Sequence, residues 1–266
     1  MRSRRIPMTP AEFERLPHDP GWKYEYYGGK AHITPRHVVV PMRVPVTPRI
    51  VDAGGLEVRP VTEGDAPDLI RAFVDGFGDT VEYCDCTPSQ VRRSGEDAIR
   101  TFFGGKRGAF HPASRLAVAP DQPRAVAGAA LVVQKPDGPF LDMLFIRPRR
   151  HRRGLATALV GSVLNALHDE GATHLGSAYN LANAPSRAWH EKFGFVERPD
   201  YFLARARAQA ARHELWRRGE IGGLAEAERA ALQAEADRWE RLAESLEEET
   251  FSRRAAARAQ KQSSPA

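Results

Sequence analysis

A chain of 266 residues, 42% hydrophobic and 27% charged, has room for one good-sized domain with extensions, in an ordinary globular composition. Its net charge of +5 suits a phosphate-bearing ligand as well as nucleic acid and does not choose between them. Two cysteines one residue apart, Cys84 and Cys86, exclude a disulfide framework, no run approaches a membrane span, and no apolar segment follows the basic start at Arg2 to Arg5. A metal site on Cys84, Cys86 and His111 would have closer thiolates than such sites use, so reduced thiols in a cytoplasmic, metal-free protein are expected.

Taken in chain order, "KYEYYGGKAHIT" predicts a hairpin turning at Gly28-Gly29. The stretch holding Pro35, Pro41, Pro45 and Pro48 reads as an extended linker, which closes a first region at about residue 55. From 56 to about 203, strand and helix signals interleave. "LEVRPV" is a strand, and Thr62 opens a helix whose Leu69, Ile70, Phe73 and Phe77 share a face. "RLAVA" and "AVAGAALVV" are strands joined by a turn at Pro120-Asp121-Gln122-Pro123, and "FLDMLFI" is the next strand. Leu155, Leu159, Val163 and Leu167 mark an amphipathic helix that Gly171 stops. "THLGSAY" gives a further strand and "APSRAWHEKFG" a short helix; such alternation belongs to an α/β or α+β sheet domain. From 204 to 266 the chain is an arm of helix formers, with a seam at Leu232, Ala236, Trp239, Ala243 and Leu246. That seam fits a coiled coil, docking on the domain or a homodimer, and the tail "ARAQKQSSPA" is expected to fray.

The chemistry concentrates in "LFIRPRRHRRGLATAL", residues 144–159. A strand ends at Ile146, a loop carries Arg147 to Arg153, and a helix starts near Gly154. Unpaired backbone N–H groups and a positive dipole end collect there, while Gly154 and Ala156 leave the backbone open to a phosphate. No aromatic residues interleave the arginines and no DNA-binding motif flanks them, so the expected guest is a pyrophosphate rather than nucleic acid.

The segment His151-Arg152-Arg153-Gly154-Leu155-Ala156 resembles motif A, [Q/R]-x-x-G-x-[G/A], of the GNAT superfamily of acetyl-CoA-dependent N-acetyltransferases, with His151 in place of Gln or Arg. "NAPSRAWHEKFGF" resembles the same family's N-x-x-[A/S]-x-x-x-Y-x-x-x-G-F segment, and "LEVRPVTEGDAPDLIRAF" its first strand and helix. The resemblance covers residues 56–203. It implies a mixed, V-splayed sheet flanked by helices, with the N-terminal hairpin and C-terminal arm as extensions.

It further implies an acetyl-CoA co-substrate, an amine of a small molecule or peptide as acceptor, and direct transfer through a ternary complex. The backbone of Arg152, Arg153, Gly154, Leu155 and Ala156, with Thr157 in the following turn, would hold the pyrophosphate beside His151. Arg149 and Arg150 would face the ribose 3′-phosphate, Asn183 the CoA arm, and the strand edge at Leu144, Phe145 and Ile146 the pantetheine. His190 stands where the family has its proton-donating tyrosine, with Tyr179 as a nearby substitute. Asp142 is a candidate base, with Glu82, Tyr83 and Asp85 as rivals. The departure at His190 leaves a non-catalytic acyl-CoA-binding or regulatory module as the alternative, and the basic charge leaves a nucleic-acid-associated protein behind it. The opening "MTPAEFERLPHDPGWKYEYYGGKAHITP" resembles a fragment of restriction-endonuclease-like proteins, without their Glu-x-Lys strand pair.

Overall fold

The computed structural model describes residues 3–120, 122–222 and 224–263, and side chains for all of these except 123, 124, 249 and 253–263. Asp121, within the turn expected at 120–123, lies outside the described residues.

The chain opens with β1 (Arg4–Pro7) and a short helix α1 (Pro10–Glu14), whose Thr9 and Glu12 cap each other. The hairpin follows as β2 (Trp22–Tyr27) and β3 (Lys30–Pro35), turning through Gly28 and Gly29 as expected. Next, β4 (Val39–Pro45) departs from the linker expected there. Val40, Met42 and Val44 alternate along it and are all buried, so period-2 burial prevails over the flanking prolines. After β5 (Glu57–Pro60), Thr62 opens a single 3-10 turn before α2 (Ala66–Phe77). A helix α3 (Pro88–Phe103), capped by Thr87 and Gln90, was not among the expected elements. Then come β6 (Ala109–Phe110), β7 (Arg115–Ala119), β8 (Gln122–Lys135), β9 (Gly138–Ile146), α4 (Leu155–Asp169), β10 (His174–Asn180), α5 (Ala184–Phe193) and β11 (Val196–Glu197). The arm consists of α6 (Tyr201–Ile221) and α7 (Glu226–Ser263).

The chain divides into two compact units. The first holds 42–179 and 185–197 and is built on a mixed sheet ordered β11-β4-β10-β9-β8-β7-β5, with β6 beside β8. Neighbours from β5 through β9 are antiparallel, whereas β9 and β10 run parallel and need α4 as their crossover. Leu69 and Phe73 of α2 and Ile99 and Phe102 of α3 share one core with Leu116, Leu131, Val133, Met143 and Phe145 of the strands. The seam on α4 is fully enclosed, as its spacing predicts: Leu155, Leu159, Val163 and Leu167 are all buried.

Of the described residues, the second unit holds 3–41, 180–184, 198–222 and 224–263. In it β1, β3 and β2 form a three-stranded antiparallel sheet. Helices α6 and α7 lie antiparallel, as the ion pairs Arg212–Glu240 and Arg218–Glu228 and the Tyr201–Phe251 ring contact require. The expected seam on α7 packs against α6 of the same chain, with Trp239 and Ala243 against Ala204 and Ala208. Asp200 caps α6 by accepting from Leu203 N at 2.9 Å.

An aromatic column also runs through this unit. The His18 ring stacks between Tyr24 at 4.0 Å and His213 at 3.5 Å, and His213 Nε2 donates to the Leu16 carbonyl at 3.0 Å. Burial above all, then the His213 ring, Arg36 and Arg217, lowers the His18 pKa from 6.5 to about 4, with Glu214 opposing. The fold therefore favours neutral His18, and this contribution is complete above pH 6.5 and lost as the pH falls from there toward 4. After a discount for the half-exposed ring, it amounts to roughly 1–2 kcal/mol. Thermal unfolding followed from pH 7 to 4.5 should show a falling midpoint, flattened in His18→Phe; identical slopes for the two proteins would refute this.

Candidate active site

The loop from β9 to α4 is tied down at its start and open at its end. Arg147 N donates to the Ala127 carbonyl at 2.9 Å, so the chain is still strand-like there. Pro148–Arg150 then make one 3-10 turn, and His151 N donates back to the Pro148 carbonyl at 3.1 Å. The His151 ring lies 2.8 Å from the Ile146 carbonyl through Nε2, which pins the loop to the strand end. Arg152 (φ +59°) and Gly154 (φ +79°) both adopt left-handed backbone. That pattern lets successive N–H groups line one concavity.

The first turn of α4 completes this anion site. Its first backbone bond runs from Ala158 N to the Gly154 carbonyl at 2.9 Å, and the residue at the cap position, Gly154, has no side chain to cap it. The N–H groups of Leu155, Ala156 and Thr157 are thus without intrahelical partners. Arg149, His151, Arg152 and Arg153 are exposed around them. Leu144 is half-buried, while the Phe145 and Ile146 side chains are buried in the core, so those two residues can offer a ligand only their backbone.

Near this site the pairing of β9 with β10 is short. The β9–β10 ladder consists of Gly176–Phe140 and Ser177–Leu141 and goes no further among the described residues. On its other side β9 carries a register shift against β8: Leu131 faces Met143 and Val132 faces Leu141, which leaves Asp142 as the bulged residue. The β9–β10 ladder thus ends beside the bulge, and 142–146 have no ladder partner on the β10 side among the described residues.

His190 sits beside Ser177, at the last rung of that ladder. It is 4% exposed and held at both ring nitrogens: Nε2 is 3.0 Å from Ser177 Oγ and Nδ1 is 2.8 Å from the Ser186 carbonyl. Tyr179, Trp189 and Phe195 surround the ring at centroid distances of 5.2, 4.9 and 5.0 Å. Burial lowers its pKa, and the bond to the Ser186 carbonyl opposes that only in part.

Asp142 is engaged by Arg107, which donates from Nε at 2.5 Å and from Nη2 at 3.1 Å. The rivals for the base differ in setting. Tyr83 packs edge-on to Phe73, and burial raises its pKa, so it keeps its proton; Glu82 and Asp85 are exposed. Asn183 lies in the turn before α5, within the second unit, where its N–H donates to the Asn180 carbonyl at 2.7 Å.

His111 does not join Cys84 and Cys86: its Nδ1 accepts from Ala113 N at 3.1 Å and its Nε2 lies 3.4 Å from Glu170. Among the described residues no group of three or more His, Cys, Asp and Glu side chains could hold a metal ion, and no helix is long and apolar enough to cross a membrane.

Two participants escaped the sequence reading. Ser177 was signalled, since it is the polar member of the inward row Leu175, Ser177, Tyr179 on β10. Arg107 carried no signal, because its partner lies 35 residues away.

Residues 81–195, less than half the chain, match the model of the acetyltransferase (GNAT) family. Among solved structures, a GCN5-related N-acetyltransferase from Sphaerobacter thermophilus is 15% identical, with a TM-score of 0.46, over 74% of this chain and 56% of that one. The chain thus spans little more than half that protein's length. The ribosomal-protein-S18-alanine N-acetyltransferase from Escherichia coli is 18% identical over 54% of this chain and 79% of its own, at a TM-score of 0.42. The PaiA N-acetyltransferase from Thermoplasma acidophilum, solved with coenzyme A, is 16% identical over 53% and 89%, also at 0.42. No curated protein sequence matches the chain. None of these matches supports the likeness of the N-terminal segment to restriction-endonuclease-like proteins.

Proposed function

We propose that the chain is an acetyl-CoA-dependent N-acetyltransferase that passes the acetyl group directly to an amine of a small molecule or peptide. The observation that carries this reading is the alignment of two features on β9. Its ladder with β10 ends at Leu141, and the strand runs into the loop that opens the N-terminus of α4 at Gly154. A slot for a narrow, extended chain thus leads away from a site for a pyrophosphate, the shape of acetyl-CoA. The transferase core in this reading is 56–203, with 1–55 and 204–266 as its extensions.

In the reading, the backbone from Arg152 to Ala156 and the turn at Thr157 take the pyrophosphate, and Arg149 and Arg150 reach the 3′-phosphate. His151 holds the loop against Ile146 so that the cradle keeps its shape. The exposed backbone edge at Leu144, Phe145 and Ile146 pairs with the amide groups of the pantetheine arm. Acetyl-CoA, when bound, supplies the activated acyl group as a thioester. The protein's part is to hold it, exclude water and move one proton from the amine to the departing sulfur. His190 and Asp142 are the residues assigned to that proton.

The test has two arms. Calorimetric titration with acetyl-CoA should show one site per chain, and absence of binding would end the reading. Thiol release should then be followed over polyamines, aminoglycosides and peptides with a free N-terminus. Turnover with any of them supports the transferase, whereas tight binding without turnover would favour an acyl-CoA-binding module.

A further inference from the structure

We propose that Ser177 is the group that exchanges protons with the reacting atoms, and that His190 acts through it as the proton reservoir. This rests on the transferase reading above and deepens it.

The hydrogen bonds around His190 dictate its tautomer. The Ser186 carbonyl can only accept, so Nδ1, 2.8 Å away, keeps its proton; Ser186 Oγ is also within 3.4 Å of that nitrogen. Nε2 therefore presents a lone pair, and Ser177 Oγ at 3.0 Å donates to it. In this state His190 has no proton to give, and the one proton it can move arrives and leaves through Ser177. The remaining neighbours, Tyr179 from β10, Trp189 from α5 and Phe195 beyond it, are aromatic, and Tyr179 is the titratable one. Ser177 also occupies the last rung of the β9–β10 ladder, opposite Leu141 and next to the bulge at Asp142, where the slot begins. Asp142 itself is held in a two-pronged contact with Arg107.

The relay balances. The neutral amine attacks the thioester carbonyl, forming the N–C bond as the carbonyl π pair moves to oxygen and leaving the nitrogen positively charged. That nitrogen passes a proton to Ser177 Oγ as the hydroxyl's own proton moves to His190 Nε2. The oxygen's pair then re-forms the carbonyl as the C–S bond breaks with its electron pair on sulfur. The Ser177 proton then goes to sulfur, and Nε2–H restores the hydroxyl. One amine proton ends on the CoA thiol, and both side chains return to their starting state. Burial favours the neutral ring that such a relay must start from, and the Ser186 carbonyl supports the imidazolium while it exists.

The experiment is a pH profile of kcat and KM, from pH 5 to 9, for the wild type, Ser177→Ala and Ser177→Thr, using acetyl-CoA and the best amine of the panel. Ser177→Ala should lower kcat roughly 100-fold while KM for acetyl-CoA changes less than about 3-fold, and the acidic limb set by His190 should disappear. Ser177→Thr, which keeps the hydroxyl, should recover most of kcat and the limb. The relay is overturned if Ser177→Ala retains kcat within about 3-fold with an unchanged limb, or if Ala and Thr lose activity alike. Either result leaves the transferase reading standing. Failure of the wild type to release thiol with every amine removes that reading, and the relay with it.

Discussion

Replacing Gly154 with glutamate is expected to abolish measurable acetyl-CoA binding while leaving the fold in place. Gly154 is exposed at the start of α4, and a Cβ built there meets nothing within 4 Å, so no clash arises. The cost to folding comes from its φ of +79°, which a residue with a Cβ adopts at about 1–2 kcal/mol. That lowers the melting temperature by only a few degrees in a chain of this size. The cost to binding is of another kind. A carboxylate at this position competes for the free N–H groups of the first helical turn and repels the pyrophosphate, and a loss of at least about 100-fold, or ~2.7 kcal/mol, is expected. Gly154→Ala separates the two effects, since it carries the backbone strain without the charge, and it should lose no more than about 5-fold. Equal losses for Ala and Glu would mean that loop geometry alone matters. Wild-type affinity in the Glu variant would show that the pyrophosphate lies elsewhere.

That cradle was legible because it is local. Its strand, glycine and helix follow one another within sixteen residues, and each announces itself by its own periodicity or backbone requirement. The helix α4 emerged along the stripe its leucines define, and β7 covers the same five residues as "RLAVA". Where the reading failed, two local signals conflicted. Pro35, Pro41, Pro45 and Pro48 spoke for a linker, while Val40, Met42 and Val44 between them already alternated as a buried strand does. In α3 the apolar stripe of Val91, Ile99 and Phe102 is thinned by "RRSGED", although Thr87 and Gln90 carried the helix-start signature. The side-chain partners of the proposed chemistry were beyond local reading altogether. Ser177 meets His190 across a strand and a helix, and Arg107 meets Asp142 from a loop, so only the folded sheet brings either pair together.

Gly128→Val should have the opposite profile to Gly154→Glu: a large loss of stability, with binding affected only through the strand that carries the loop. Gly128 sits on β8 directly opposite Ile146, the last residue of β9. A Cβ there would lie 2.5 Å from Ile146 Cδ1 and 2.8 Å from the Phe145 carbonyl oxygen. The isoleucine can rotate away, but the carbonyl belongs to the backbone of the neighbouring strand and retreats only if β8 and β9 separate locally. Overpacking of this kind costs about 3 kcal/mol, readable as a lower midpoint in urea at unchanged slope. Combining Gly128→Ala with Ile146→Ala distinguishes the two contacts. The double variant relieves the side-chain clash and leaves the carbonyl clash, so it should be less destabilised than the sum of the single changes, by about 1 kcal/mol. Strict additivity would mean that Ile146 already moves aside without cost. The next backbone bond, from Arg147 N to the Ala127 carbonyl, fixes where the phosphate loop leaves the sheet, and any widening at Gly128 displaces it. Acetyl-CoA affinity measured well below the melting temperature should therefore fall in Gly128→Val by roughly 3- to 10-fold, at a site the ligand never touches. An unchanged affinity at reduced stability would show that the loop holds its shape independently of the strand end it grows from.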